Sequence, residues 1–286
     1  MNRNLPELDW NRVNKLIELA IDEDINNGDA TSISVIPENV KTEGRFVTRE
    51  QCVCAGLPVA EAVFKKLDSK IGWISHCPEG AVLESGTCMA TVKGNARAIL
   101  AGERTALNFL QRLSGIATVT RKYVNASVGT GTKILDTRKT TPCWRNLEKY
   151  AVAAGGGINH RMGLYDRIMI KDNHRYIAGL EGFDGLVAAI RRAREMYPAL
   201  EIEVEVDTID EFKIVHKESP EYILLDNMTN EQMAEAVKLN SGKVKLEASG
   251  GITLERIPSI AKLGVDFISV GALTHSVKAI DISLEM

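Results

Sequence analysis

Apolar residues recur at helical spacing at Trp10, Val13, Leu16, Ile17, Ala20 and Ile21, with charged residues between them. They predict a first helix that stops near the turn-forming Asn27-Gly28-Asp29. Runs of strand character follow at 44–49, 52–56, 71–77 and 87–93, with a helix at 57–67 among them. Pro78-Glu79-Gly80 and Glu84-Ser85-Gly86 are turn signals between these runs. Strands clustered in this way read as α+β. Near residue 95 the pattern changes. Helical periodicity is sustained from 95 to 128, with a break expected at Gly115. Beyond it, segments at 133–136, 167–170, 201–206, 222–225, 243–248 and 266–270 read as buried parallel strands and alternate with amphipathic stretches that include 185–196, 209–217, 230–239 and 254–263. Repeated β-then-α units predict a buried parallel sheet, open or closed into a barrel.

Length and composition narrow this picture a little. A chain of 286 residues suits one barrel and a modest second unit, and 44% hydrophobic residues suffice for a packed core. A net charge of −3 gives no global drive toward nucleic acid or an anionic membrane, so an anion site has to be built locally. No basic start with an apolar run and no bilayer-length apolar stretch is visible, which points to a soluble, cytoplasmic protein. The five cysteines, Cys52, Cys54, Cys77, Cys88 and Cys143, match neither a disulfide framework nor zinc spacing and read as reduced, mostly buried thiols.

The chemistry lies where the strands end. They run into Asp136-Thr137-Arg138-Lys139, Lys171-Asp172, Glu205-Val206-Asp207, Asp226-Asn227 and Ser249-Gly250-Gly251. In a parallel barrel this end of the strands forms the active face. Arg138, Lys139, Arg161 and Lys171, with His160 adjacent, make a cationic group suited to carboxylate or phosphate. Glu205 and Asp226 offer the hard oxygens that hold Mg²⁺. Strand alternation puts Glu203 on the same face as Glu205, and Glu205 is preferred as the nearer to the strand's C-terminal end. Gly250-Gly251 and the segment Ser269 to Ser276 follow the last two strands, where such barrels commonly hold a phosphate on backbone N–H groups. Gly155-Gly156-Gly157 reads as a flexible run that brings His160 and Arg161 over the site. The residues alone therefore describe a barrel-like enzyme for a phosphorylated, multiply anionic substrate and a metal.

Several stretches, in order, carry a resemblance. They include Ala55-Gly56-Leu57-Pro58-Val59-Ala60, Glu103-Arg104-Thr105-Ala106-Leu107-Asn108 and Leu135-Asp136-Thr137-Arg138-Lys139-Thr140-Thr141-Pro142. Gly155-Gly156-Gly157-Ile158-Asn159-His160-Arg161, Ile170-Lys171-Asp172-Asn173-His174, Glu203-Val204-Glu205-Val206-Asp207, Leu225-Asp226-Asn227-Met228 and Ser249-Gly250-Gly251-Ile252 continue it. Over nearly its whole length the chain resembles the quinolinate phosphoribosyltransferase family, also called carboxylating nicotinate-nucleotide pyrophosphorylases.

The resemblance implies an α/β fold of the type II phosphoribosyltransferase kind. An N-terminal α/β sandwich would occupy residues 1–115, an incomplete, open α/β barrel 116–275, and the tail 276–286 would pack on the first domain. It implies a homodimer, or a higher oligomer built from it, whose site is shared between subunits, Arg104 being lent to the neighbour. The implied reaction joins quinolinate to 5-phosphoribosyl-1-pyrophosphate and releases nicotinate mononucleotide, pyrophosphate and CO₂. By the resemblance, Arg104, Arg138, His160, Arg161 and Lys171 face quinolinate, Lys139 and Lys171 face the phosphoribosyl donor, and Thr137 is a further substrate-binding residue. Glu205 and Asp226 hold the ribose hydroxyls and Mg²⁺. Ser249, Gly250, Gly251, Val270, Gly271 and Ala272, with His275 nearby, take the 5′-phosphate. Lys139, Lys171, Glu205 and Asp226 are the implied catalytic groups. One departure stands out: Cys143-Trp144 replaces a glycine and a small or aliphatic residue common in the family. The competing readings are an enzyme of the same fold acting on another acid and a barrel aldolase using Lys171 as a Schiff base.

Overall fold

The structure is a computed structural model that describes residues 5–180 and 182–286. In chain order its elements begin with α1 (Trp10–Ile25), α2 (Ala30–Val35), β1 (Lys41–Thr48), β2 (Cys52–Val53), α3 (Leu57–Leu67), β3 (Gly72–Ser75), β4 (Val82–Leu83), β5 (Cys88–Asn95) and α4 (Ala96–Ala126). Next come β6 (Lys133–Leu135), α5 (Arg145–Gly155), β7 (Ile168–Ile170), α6 (Asp172–Ile177), α7 (Gly182–Met196), β8 (Ile202–Val206), α8 (Ile209–Lys217), β9 (Tyr222–Asp226) and α9 (Asn230–Asn240). The chain ends with β10 (Lys245–Ser249), a 3₁₀ turn (Leu254–Arg256) leading into α10 (Ile257–Ala261), β11 (Phe267–Ser269), α11 (Ala272–His275) and β12 (Ile282–Glu285).

Two compact units share this chain. The first takes the described residues through Arg121, then 140–156 and 273–286; the second takes 122–139 and 157–272. This partition differs from a single cut after residue 115, because the segment carrying α5 contacts the first unit although it follows β6.

The first unit holds a four-stranded antiparallel sheet in the order β12-β1-β5-β3 and a small β2-β4 ribbon. β12, from the C-terminal tail, closes the β1 edge with Arg45 opposite Glu285 and Thr48 opposite Ile282. Phe46, Phe64 and Trp73 pack edge-on and tilted at 5.3–5.9 Å between ring centroids, the arrangement that aromatic quadrupoles favour. α1 is started by Asp9, whose carboxylate accepts the N–H of Arg12, and it buries Val13 and Ile17. The expected break in α4 is absent, and the helix runs unbroken for 31 residues. Gly115 serves close approach instead: a Cβ there would lie 2.4 Å from the Lys278 carbonyl oxygen. The run expected at 52–56 is a strand only at Cys52–Val53, and the helix expected at 254–263 opens with a 3₁₀ turn.

The second unit is one six-stranded parallel sheet in the order β6-β11-β10-β9-β8-β7. Its strands bury Ile134, Val204, Ile223, Leu225, Leu246 and Ile268, as a sheet covered on both faces requires. Phe212 and Val215 of α8, Met233 of α9 and Ile257 and Ile260 of α10 supply the helical side of this core. Thr208 caps α8, and Thr229 with Gln232 forms a capping box on α9. Ile158 adds a single parallel bridge to Leu135 on the free edge of β6. The hydrogen-bonded order therefore runs from Ile158 to β7, and among the described residues no pairing joins its two ends. No described helix is long and apolar enough to cross a membrane.

Candidate active site

Because all six strands of the second unit are parallel, their C-terminal ends lie on one side of the sheet. That side receives Thr137, Arg138 and Lys139 from β6, Lys171 from β7, Glu205 from β8, and Asp226 from β9. It also receives Ser249, Gly250 and Gly251 from β10, and Val270, Gly271 and Ala272 from β11. Arg104 and His275 belong to the first unit. Arg104 is exposed on α4, and the Nδ1 of His275 lies 2.6 Å from the Ser276 hydroxyl.

The cationic part is organised from Asp136, a fully buried residue just past β6. Its carboxylate accepts the Asn159 amide at 2.7 Å and the His160 backbone N–H at 2.9 Å, tying the 158–161 segment to the strand end that carries Arg138. Arg161 donates from Nη1 to the Arg167 carbonyl at 3.0 Å and from Nη2 to Met169 Sδ at 3.5 Å. Burial and the neighbouring Arg138 charge both hold the Arg161 guanidinium below its ordinary pKa. Two guanidinium groups thus repel across the same site while Arg138 and Lys139 stay exposed. A bound anion would remove that repulsion.

His160 lies elsewhere than expected. Its ring is buried and turned into the sheet's interior, with Nε2 3.1 Å from Glu203 Oε2 and 3.4 Å from Glu247 Oε2. Its Nδ1 accepts the Arg161 N–H at 2.6 Å. Both ring nitrogens have protein partners, so His160 does not present a donor to a substrate carboxylate in this structure. Burial lowers the imidazole's basicity, but the two carboxylates beside Nε2 outweigh it and favour a proton there. The Arg161 N–H opposes a second ring proton, because it needs the Nδ1 lone pair. Among the acids, burial pushes Glu247 up to about 6 with Glu203 adding repulsion, whereas His160 and Arg167 overcome burial and hold Glu203 low.

The acidic part lies on β8 and β9. Glu205 contacts the Lys171 ammonium at 2.5 Å. Burial raises its pKa, Lys171 opposes the rise, and the charges of Asp226 and Asp172 add to it. Asp207 is raised by burial and by Glu211, Asp226 and Asp172. The charges of these acids are opposed by Lys171 and, beside Asp207 and Glu211, by Arg175, and Glu205 and Asp226 offer the hard oxygens that a divalent cation takes. Glu205 takes part in this cluster, while Glu203, one step down the same face, belongs to His160.

The Ser249-Gly250-Gly251 turn has two successive left-handed residues, at φ 89° and 57°. A Cβ on Gly250 would lie 2.2 Å from Asn227 Oδ1, so only glycine fits there. Arg256 donates to the Gly251 carbonyl at 2.9 Å and so braces the turn. Gly155 and Gly156 are not a flexible run. Gly155 ends α5 and packs against Thr120, and Gly156 is the left-handed cap of that helix.

The Cys143-Trp144 departure is accommodated locally. Cys143 takes a left-handed φ of 67°, a conformation glycine adopts without strain, and Trp144 stacks on Phe109 at 4.8 Å. The thiols are all free; Cys52 and Cys54 are buried, Cys77 and Cys88 half-buried, and Cys143 exposed. Asp136, Glu203 and Glu247 were not singled out as site residues from sequence. The available signal was a charged residue inside, or just past, an otherwise apolar strand.

Comparison with known proteins follows this geometry. The quinolinate phosphoribosyl transferase N-terminal domain model matches residues 29–114, and the C-terminal domain model matches 116–285. The chain is 42% identical, over 96% of its length and 93% of the relative's, to a probable nicotinate-nucleotide pyrophosphorylase [carboxylating] of Bacillus subtilis (strain 168). It is 42% identical to the nicotinate-nucleotide pyrophosphorylase [carboxylating] of Mycobacterium leprae (strain TN), over 99% of this chain and all (100%) of that one. The solved nicotinate-nucleotide pyrophosphorylase of Francisella tularensis superposes with a TM-score of 0.92 at 40% identity, covering 98% of both chains. On matches that span both halves of its length, the chain belongs to the quinolinate phosphoribosyltransferase family.

Proposed function

We propose that the chain transfers the phosphoribosyl group of 5-phosphoribosyl-1-pyrophosphate to quinolinate and removes one carboxylate as CO₂. The observation that carries this reading is the Arg138–Arg161 pair, two like charges sharing the strand-end face with a separate acidic cluster. A dicarboxylate satisfies both guanidiniums, whereas a monocarboxylate leaves one unmatched. The pyridine nitrogen attacks C1′ of the ribose as the C1′–O bond to pyrophosphate breaks. The ring nitrogen becomes cationic and accepts the electron pair released when the C2 carboxylate departs, and C2 then takes a proton. No protein nucleophile is required, so the protein's contribution is positioning and charge stabilisation.

Glu205 and Asp226 would hold Mg²⁺, with Asp207 and Asp172 adding negative potential around it. When bound, the ion would neutralise the pyrophosphate leaving group. Lys139 and Lys171 add positive charge on the donor's phosphates. Glu205 and Asp226 also face the side where positive charge builds on the ribose. The N–H groups of the Ser249–Gly251 and 270–272 segments take the 5′-phosphate. We place Arg104 in the site of a second copy, making the working enzyme a homodimer, and the compartment as the cytoplasm. A Schiff-base aldolase fits less well, because the Lys171 Nζ is paired to the Glu205 carboxylate.

Purified protein with quinolinate, the diphosphate donor and Mg²⁺ should yield nicotinate mononucleotide and CO₂ in equal amounts. Nicotinate in place of quinolinate should give neither. Turnover should vanish with chelator and in Arg138→Ala. Equal rates with nicotinate, or none with quinolinate in a folded dimer, would overturn the reading.

A further inference from the structure

We propose that Glu203 and Glu247 are positioning residues for the substrate-carboxylate arginine, acting through His160. The inference rests on the assignment of Arg161 to quinolinate made above.

Both carboxylates are fully buried, on β8 and β10, with β9 between them. None of their four oxygens has a well-aligned hydrogen bond among the described residues. The cations near them are His160, with Nε2 at 3.1 and 3.4 Å, and Arg167, with Nη1 at 3.5 Å from Glu203, and the Ser269 side chain also favours the Glu247 carboxylate. Buried carboxylates in this state are costly, and an apolar filling of the same volume would serve stability as well or better. The cluster therefore calls for a role other than stability.

The ring's other nitrogen supplies that role. Two carboxylates at Nε2 demand a proton there, which leaves Nδ1 as a lone pair. That lone pair accepts the Arg161 backbone N–H at 2.6 Å. Arg161 is then fixed at its backbone by His160 and at its guanidinium by the Arg167 carbonyl at 3.0 Å. Asp136 holds the His160 N–H at 2.9 Å beside the strand end that carries Arg138. The acids thus set the tautomer, the tautomer sets the Arg161 backbone, and the two arginines are registered against each other. Without the acids, the imidazole could flip or change tautomer, and Nδ1–H would confront the Arg161 N–H.

Three measurements test this. In the wild-type protein, ¹⁵N NMR of labelled histidine should show His160 protonated at Nε2 and bare at Nδ1; a ring protonated at Nδ1 overturns the proposal without any variant. In Glu247→Gln and Glu203→Gln, KM for quinolinate should rise at least tenfold, while KM for 5-phosphoribosyl-1-pyrophosphate stays within twofold. The apolar triple variant His160→Leu/Glu203→Leu/Glu247→Leu, which removes the buried charges together, should fold and still show the raised quinolinate KM. A folded triple variant with wild-type quinolinate KM overturns the proposal, as does an equal rise in both KM values. Arg161→Ala separates the two levels. If it leaves quinolinate KM unchanged, the assignment of Arg161 fails. If it raises KM and the acid variants do not, only the positioning role fails.

Discussion

Arg161→Ala should barely change the stability of the ligand-free protein and remove most of the stabilisation by quinolinate. The variant loses the bond from Nη1 to the Arg167 carbonyl. A hydrogen bond from a charged group is worth about 1.5–3 kcal/mol, and partial exposure places this one at the low end. Against that loss, the variant relieves the burial of a cation and its repulsion by Arg138, the two causes that depress the Arg161 pKa. The opposing terms leave a net change within about 1 kcal/mol, or roughly 2–4 °C in Tm for a chain of this size. Ligand reverses the comparison. At a hundredfold excess over its Kd, quinolinate stabilises the wild type by about 2.7 kcal/mol. Losing one charge-assisted carboxylate partner weakens binding by about 2–3 kcal/mol, or roughly 30- to 150-fold. At the same concentration the variant then gains only about 0.3–0.9 kcal/mol. Calorimetry is the suitable readout, because Trp10, Trp73 and Trp144 all lie in the first unit whereas Arg161 lies in the second. Equal stabilisation of variant and wild type by quinolinate would refute the reasoning.

Three further outcomes are expected. Gly250→Ala, with its Cβ 2.2 Å from Asn227 Oδ1 at φ 89°, should cost at least about 2 kcal/mol in urea unfolding and raise KM for the phosphoribosyl donor; an unchanged KM would remove the turn from the phosphate site. Cys143→Gly should stabilise by about 0.5–1 kcal/mol, because the 67° φ strains a side chain more than glycine's extra freedom in the unfolded state costs; a loss of stability in urea contradicts this. Glu247, raised by burial to about 6, contributes stability that is fully present below the ordinary 4.5 and lost as pH rises through 6. Glu247→Gln should therefore gain on the wild type between pH 4.5 and 7, and parallel pH–stability curves would contradict the assignment.

Much of the second unit was legible because buried parallel strands write their burial as unbroken apolar runs. Tyr222–Asp226 is a near-continuous stretch of this kind, Ile202–Val206 instead sets Glu203 and Glu205 between its apolar residues, and α8 and α9 carry their own caps. The short elements were not legible. β4 and α11 have two and four residues, too few for a period to show, and of the run expected at 52–56 only the two residues of β2 pair. Gly115 misled because sequence cannot tell a helix breaker from a glycine that admits a neighbouring carbonyl; only the Lys278 contact decides it. At the site, residue type and strand position were enough to bring Arg138, Lys171, Glu205 and Asp226 to one face. They were not enough to orient a side chain. His160 reads as one more cation beside Arg161, and only the positions of Glu203 and Glu247 show that its ring faces inward.

The curvature of the sheet follows from the same contacts. In the hydrogen-bonded order, Arg138 follows β6 at one end and Arg167 precedes β7 at the other, with four strands between. In a flat sheet those strands would hold the two ends roughly 20 Å or more apart, at about 4.8 Å per strand. Arg161 nevertheless feels the charge of Arg138 and donates to the Arg167 carbonyl at 3.0 Å. His160, on the Ile158 edge, lies within ion-pair distance of β8 and β10. Only a strongly curled sheet meets both conditions. The gap between β6 and β7 is thus bridged by side chains where no backbone pairing joins it, and the bridge includes the arginine assigned to the substrate. A substitution that loosens the curl, such as removing Asp136, should therefore act first on the dicarboxylate and only later on the phosphate turns of β10 and β11, whose positions depend on ordinary strand pairing.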